Sequence, residues 1–493
     1  MGRRSRRRMR AGKQPPKDSR PNPQGAGPGV RPTPDLARRI EHHFDAALAR
    51  FDVGDGSKAR HHVEELASWW EWGVGRIDGV TPGLVPALTC SYLCGEIGEV
   101  WARGWQPADI SRVVGRHLGP KHVRVAVDAI AEEAETYRSR HRTLPTWLDQ
   151  LDEVGAVLRW DPQTDHLART AQELNVDLAG FLLVAFEVLV MLHHLPTISI
   201  LAPPPSAWDR SAALDLAVTW RSQTGSGESR PLERIRALLA KAESTEFDEE
   251  AEALTAKAQE LMTRHSIDAA LLAAHAAGRR AREKPAARRI GVGVPYAQAK
   301  AFLLAQIAEA ATCRVVWSKS FGFSTVFGFE GELASVELLY TSLLLQARTT
   351  MVRSAELGRR AKGRSFRQSF LVGFASRIGL RLKESADVAT SDAIREHGGR
   401  LLLVLADRSR AVDELRNETF PDSKGLNSPR PTPRAGPLGR WLPNWLTSHA
   451  DQSLRTRRQP DRGATQIQSS FALRCAALRG VEQVSVCELT VWR

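Results

Sequence analysis

From Pro34 to about residue 420, apolar side chains recur every three or four residues, and runs with the two-residue rhythm of a strand are few and short. The first spacing lines one face of an α-helix, the second one face of a strand. A chain patterned this way folds as helices packed on helices, with room for one small sheet. Helices are expected over 35–75, 84–103, 107–118, 121–140, 145–158, 163–175 and 178–195, as a pair within 231–268, and over 296–311, 332–356 and 366–388. Two β-like runs, 313–318 and 323–329, flank Lys319-Ser320-Phe321-Gly322, and the apolar run Leu401 to Leu405 reads as a third strand. The order α-β-β-α-α-β describes a sheet covered on one side. The expected fold class is mainly α with a small α+β C-terminal domain, multi-domain, between disordered basic ends.

Breakers divide the chain. Residues 1–34, rich in Arg, Pro and Gly, read as a disordered arm. Residues 35–220 read as one helical domain holding nine of the thirteen Trp. The flexible stretch Gln223 to Gly227 marks a linker at 221–230, and the helix hairpin follows at 231–268. Residues 269–295 read as a basic linker, since 278–289 place six Lys and Arg against Glu283. The α+β domain is assigned to 296–420. The tail 421–493 holds seven Pro and ten Arg with weak periodicity, and is expected to be poorly ordered.

Charge separates the ends from the body. The formal net charge is +13, but residues 1–34 alone carry eight Arg and two Lys against one Asp. The tail carries ten Arg and one Lys against five acids, so the body between is nearly neutral. Basic ends suit phosphate contacts that are unspecific and salt-sensitive. Five Cys, an odd number without a compact pairing, fit a reducing compartment. Basic, Pro-rich text at the start lacks the apolar core of a secretory signal. Leu178 to Leu192 is too short to cross a bilayer and contains Glu187. A cytoplasmic protein without membrane contact is the expectation.

Within the hairpin, Ile235, Leu238, Leu239 and Ala242 share one helix face, and Ala251, Leu254, Ala258, Leu261 and Met262 share another. With Glu243, Glu250 and His265, these residues resemble the helix-hairpin module of domain of unknown function 2786, found in many bacterial and phage proteins. The resemblance covers about 35 of the 493 residues. The 296–405 stretch resembles the domain that often follows that module, through Cys313, Gly328-Phe329-Glu330-Gly331, Leu338-Leu339-Tyr340 and Ser369 to Phe374. The resemblance implies architecture and an intracellular setting. It carries no activity.

Four constellations bear on chemistry. Cys90-x3-Cys94 with His117-x4-His122 offers thiolate and imidazole ligands to zinc. Cys90, Leu93, Cys94 and Ile97 also form one apolar helix face, where free Cys is commonly just buried. A helix-turn-helix at 107–130 would place Lys121, His122 and Arg124 at the start of a recognition helix. Glu132, Glu133 and Glu135 then make that helix acidic, and most helix pairs are packing units. In the family hairpin, Asp248, Glu249, Glu250, Glu252 and Glu260 against Lys257 repel phosphate, so that helix is not a DNA reader but a docking face for another domain or protein. Finally, Arg353, Arg359, Arg360, Lys362, Arg364 and Arg367 form a basic connector suited to anions or nucleic acid, or simply solvated. Phe366 and Phe370, four apart, read as core more readily than as a stacking platform.

No H-E-x-x-H, G-x-S-x-G or G-x-x-x-x-G-K-[ST] is present. His265, near a helix C-terminus, is explained by the dipole. No catalytic residue and no cofactor is assigned, zinc being the one candidate ion. The leading expectation is a non-enzymatic accessory protein associated with nucleic acid. The alternatives are a protein-interaction module docking through 231–268 and a metal-dependent enzyme using Cys90, Cys94, His117 or His122.

Overall fold

The computed structural model describes residues 34–74, 83–138, 144–160, 164–208, 230–245, 247–275, 283–356, 364–421, 425–426 and 489–492. The expectations for 1–33, the linker at 221–229 and most of the tail lie outside them. Fourteen α-helices and one sheet are formed among the described residues. No single described helix is long and apolar enough to cross a membrane.

The chain divides into two compact units, one of residues up to Ser91 with Trp160–Leu183, the other of Tyr92–Arg159 with everything from Val184. The stretch 35–220 is thus not one unit, as its Trp content had suggested. Two of the three boundaries fall inside helices, α3 (Leu84–Ala102) and α8 (Leu178–His193), and the third follows Arg159.

In the first unit, α1 (Pro34–Asp52) buries Ile40, Phe44, Ala47 and Phe51 along one stripe, and α2 (Gly56–Glu71) buries Ala59, Val63 and Leu66. Gly54, at φ 76°, turns the chain between them. Helix α7 (His166–Glu173) opens on Asp165, whose carboxylate accepts from the Ala168 amide at 3.2 Å and from Trp70 Nε1 at 2.7 Å.

In the second unit, α4 (Pro107–His117), α5 (Pro120–Arg138) and α6 (Pro145–Val154) precede the hairpin of α9 (Arg230–Ser244) and α10 (Asp248–His275). Then follow β1 (Ala286–Gly291), α11 (Ala297–Ala310), β2 (Arg314–Ser318), β3 (Phe323–Gly328), α12 (Glu330–Glu356), α13 (Arg364–His397) and α14 (Gly399–Thr419), with short strands β4 (Gly425–Leu426) and β5 (Leu489–Trp492). The sheet order is β1-β3-β2-β5-β4, antiparallel except for the β4–β5 pair.

Three readings of the sequence are corrected here. The segment taken as a basic linker, 269–295, holds the end of α10 and the strand β1, paired Ile290 to Ser324 against β3. Leu401 to Leu405 lies in α14, with Leu401 buried and Leu402 and Leu403 exposed. A five-residue apolar run carries too few periods to separate helix from strand. The sheet is also covered on both faces. Val315, Trp317 and Val326 join a core with Leu304, Ile307, Leu339 and Ile378, whereas Val316 and Phe327 pack with Phe329 and Val412 of α14. Period-two alternation along β2 and β3 sends neighbouring side chains to opposite cores, which explains why every residue of β3 is buried.

Candidate functional site

The hairpin's apolar faces close onto the sheet core. Ile235, Leu239, Ala258 and Met262 are buried in the same cluster as Val292, Ala301 and Leu304, with Leu238 and Leu261 packed at its edge. Ala242 is buried as well, Ala251 is half-buried, and His265 is exposed. Glu250 ties the two helices, accepting from Thr245 Oγ1 at 2.5 Å and pairing with Lys241 at 2.9 Å. These partners hold its carboxyl below the usual carboxylate range. Glu252, on the acidic face, pairs with Arg377 at 2.7 Å and with Arg381, both on α13. The acidic docking face is therefore met, in part, within the chain.

Between α10 and the helices beyond it lies a cavity of about 260 Å³, lined among others by Gln259, Met262, Phe329, Glu332, Asp387 and Arg408. Glu332 is buried at the start of α12. One carboxylate oxygen accepts from the Phe329 amide at 3.1 Å, closing the first helical turn. The other accepts from Ser266 Oγ at 2.7 Å and Arg408 at 2.9 Å. Arg408 also pairs with Glu283 at 2.9 Å and lies 3.5 Å over the Phe329 ring. Nearby Cys313 is fully buried, and burial pushes its thiol pKa well up, so it is no thiolate nucleophile. Gln259 donates to the Ala310 carbonyl at 3.3 Å, and its Oε1 has no hydrogen-bond partner. Sequence reasoning passed over Glu332, Arg408 and Gln259. Their one local signal was the Glu three residues after Phe329, a helix-start pattern without the usual Ser or Thr.

Of the metal candidates, Cys94, His117 and His122 do not converge. Cys94 Sγ lies 3.8 Å from the Ala129 carbonyl, His117 Nε2 lies 3.0 Å from the Ser320 carbonyl, and His122 Nε2 lies 2.6 Å from Glu187. Among the described residues, none of Cys94, His117 and His122 belongs to a group of three His, Cys, Asp or Glu ligand atoms within 4.8 Å. Cys90 is half-buried on α3.

Helix α4 is likewise engaged. Asp109, Ile110, Val113 and Val114 are buried, and Asp109 receives Arg289 from β1 at 2.7 Å. Arg112 lies against Gly291 and Arg116 against Gly322. In the first turns of α5, Arg124 holds Asp128 at 2.9 Å, leaving Lys121 exposed. The basic residues of β1 are also consumed: Arg288 pairs with Glu330 and with Glu337 at 2.7 Å.

The connector residues fare differently. Arg353 lies in α12, and Arg359, Arg360 and Lys362 lie outside the described residues. Arg364 is exposed and Arg367 half-buried at the start of α13. Phe366 is exposed beside them and begins a ladder, with Phe366, Phe370 and Phe374 rings stacked at 6.4 and 6.2 Å and inclined by 28° and 24°. Phe370 and Phe374 pack toward Ala347 and Leu371, so the ladder runs from core to surface.

Residues 230–269 match the family model described as "Protein of unknown function (DUF2786)". The hairpin is that module. The match covers α9 and α10 as far as residue 269, six residues short of the end of α10 at His275. Neither a curated protein nor a solved structure matches the chain.

Proposed function

We propose that this is a cytoplasmic, non-enzymatic accessory protein that associates with nucleic acid, and that its folded body contributes through the start of α13. The observation that carries this reading is the exposed Phe366 ring at the end of the stacked ladder, flanked by Arg364 and Arg367. Arginine supplies phosphate contacts, and an aromatic face supplies a sequence-tolerant stacking platform for unpaired bases. The amides of the first helical turn add positive potential at the same place. Of the other basic stretch singled out in the sequence, Arg288 and Arg289 are spent on carboxylates inside the fold.

The test is fluorescence anisotropy of a short single-stranded oligonucleotide with the full-length protein at several salt concentrations. Reversing Arg364 and Arg367 to Glu should flatten the salt dependence by more than one unit of slope, since each lost phosphate contact removes about 0.7. Phe366→Ala should weaken binding about 5- to 150-fold, the range of one stacked base. Unchanged affinity and slope in both variants would assign all binding to the basic ends and end this reading for the body.

A further inference from the structure

The hairpin of α1 and α2 brings four histidines together: His42 and His43 from the first helix, His61 and His62 from the second. The ring of His43 lies 5.0 Å from that of His62, inclined by 74°, and 6.1 Å from that of His61. The inner pair is held in place. His43 packs edge-on against the buried Trp69 at 5.1 Å, and His62 precedes the buried Val63. Both inner histidines are half-buried, and both outer ones are exposed.

The Nδ1 atoms of His43 and His62 stand 3.3 Å apart. Two imidazole nitrogens bound at about 2.0–2.1 Å to one tetrahedral ion stand about 3.3–3.4 Å apart. The separation therefore equals the bite of a metal ion, with nitrogens from two helices that a three-residue turn fixes side by side. Glu65 stands one helical turn beyond His62, on the side of His43. Two imidazoles with a neighbouring carboxylate suit a late first-row divalent ion better than a hard one such as magnesium.

We propose that α1 and α2 form a binding site for zinc or a similar late first-row divalent ion, held by Nδ1 of His43 and Nδ1 of His62. Water fills the outward positions, with the Glu65 carboxylate as a further ligand when its side chain turns inward. No third protein ligand atom joins the pair within 4.8 Å among the described residues, so the ion is held by two imidazoles and remains open to solvent. Such a site suits an exchangeable ion, one that cross-links two helices and leaves positions for an external ligand. It is distinct from the Cys90, Cys94, His117 and His122 set weighed from the sequence.

The test uses full-length protein stripped with a chelator and titrated with cobalt(II), followed by its visible absorption and displaced by zinc. One equivalent should bind with nitrogen and oxygen ligation. His62→Gln should weaken binding by more than about 100-fold, beyond the roughly 10- to 100-fold that losing a supporting partner costs a metal site. His42→Gln with His61→Gln should change it less than about twofold. Because His43 touches Trp69, His43→Gln is read together with His62→Gln, and zinc should raise the melting temperature of the parent protein but not of His62→Gln. A thiolate charge-transfer band, no binding, or full binding by a folded His62→Gln protein would overturn the proposal. In the last two cases the 3.3 Å contact is a hydrogen bond between neutral rings and nothing more.

Discussion

Arg289 on β1 donates to Asp109 on α4 at 2.7 Å, and both side chains are almost completely shielded from water, at 3% and 2% exposure. The same guanidinium donates to the carbonyls of Gly104 and Ser199 and lies 5.3 Å over the Phe323 ring. One arginine thus satisfies the end of α3, the start of α4, the segment after α8 and the sheet edge.

Removing one partner should leave an uncompensated buried charge. Arg289→Met is expected to destabilise the second unit by about 3–5 kcal/mol. Adding Asp109→Leu should recover part of that loss, because the orphaned carboxylate goes with it. Urea unfolding of the two single variants and the double variant gives the coupling. Strictly additive losses would mean the pair is not what secures this junction.

The hairpin is a structural part of the sheet unit. Met262→Ala removes a buried side chain from the shared core and widens the adjoining cavity. A loss of about 2–5 kcal/mol is expected. Urea unfolding followed by circular dichroism reports it, and hydrogen exchange of the peptide holding Trp317, which belongs to that core, shows whether the sheet opens with the hairpin. Loss of helix with the Trp317 peptide still protected would show a hairpin that unfolds on its own.

His166 is buried and stacks on Trp160, the rings 4.2 Å apart and 8° from parallel. Burial drops its pKa from 6.5 to about 4. Between those values the unfolded chain binds the extra proton, so stability is fully present above about pH 6.5 and is lost as pH falls toward 4. The loss amounts to at most about 3 kcal/mol. His166→Gln should flatten the pH dependence of the urea midpoint over that window. An unaltered profile would place the titration elsewhere.

Cysteine reactivity should divide by burial. Cys313 is enclosed with a raised thiol pKa, while Cys90 and Cys94 are half-buried. Alkylation of native protein with iodoacetamide, read by peptide mass spectrometry, should leave Cys313 unmodified until denaturant is added. Modification of Cys313 at the rate of Cys94 would show that the sheet core opens readily.

Much of this architecture was legible in local spacing. The hairpin at 231–268 and the strands at 313–318 and 323–329 needed only periodicity and a turn glycine, and Gly322 does adopt a φ of 74°. Strand β1 was not legible, because Ala-Ala-Arg-Arg-Ile-Gly resembles the basic text before it. Its arginines alternate, Arg288 toward Glu330 and Glu337 and Arg289 toward Asp109, but a charged alternation shows as a strand only once its partners are known. The grouping of Cys94, His117 and His122 misled for a related reason. Sequence spacing brought Cys94, His117 and His122 together on paper, whereas each is occupied by a different carbonyl or carboxylate. The His43–His62 pair stayed hidden because nineteen residues separate its members.

The sequence by itself determined where the hairpin module lies, how charge divides between body and ends, and most of the helical segments, though not α14 or the end of α10. Those properties follow from side-chain period and composition, which act over one or two helical turns. The tertiary structure decided which charges are spent and which stay available. Arg289 and Arg364 are the same residue type with the same intrinsic basicity. One is enclosed against a carboxylate and three elements of the fold, and the other stands in solvent at a helix start. That difference comes from contacts made over 180 residues of separation, as in Arg289 with Asp109, and no local pattern encodes it.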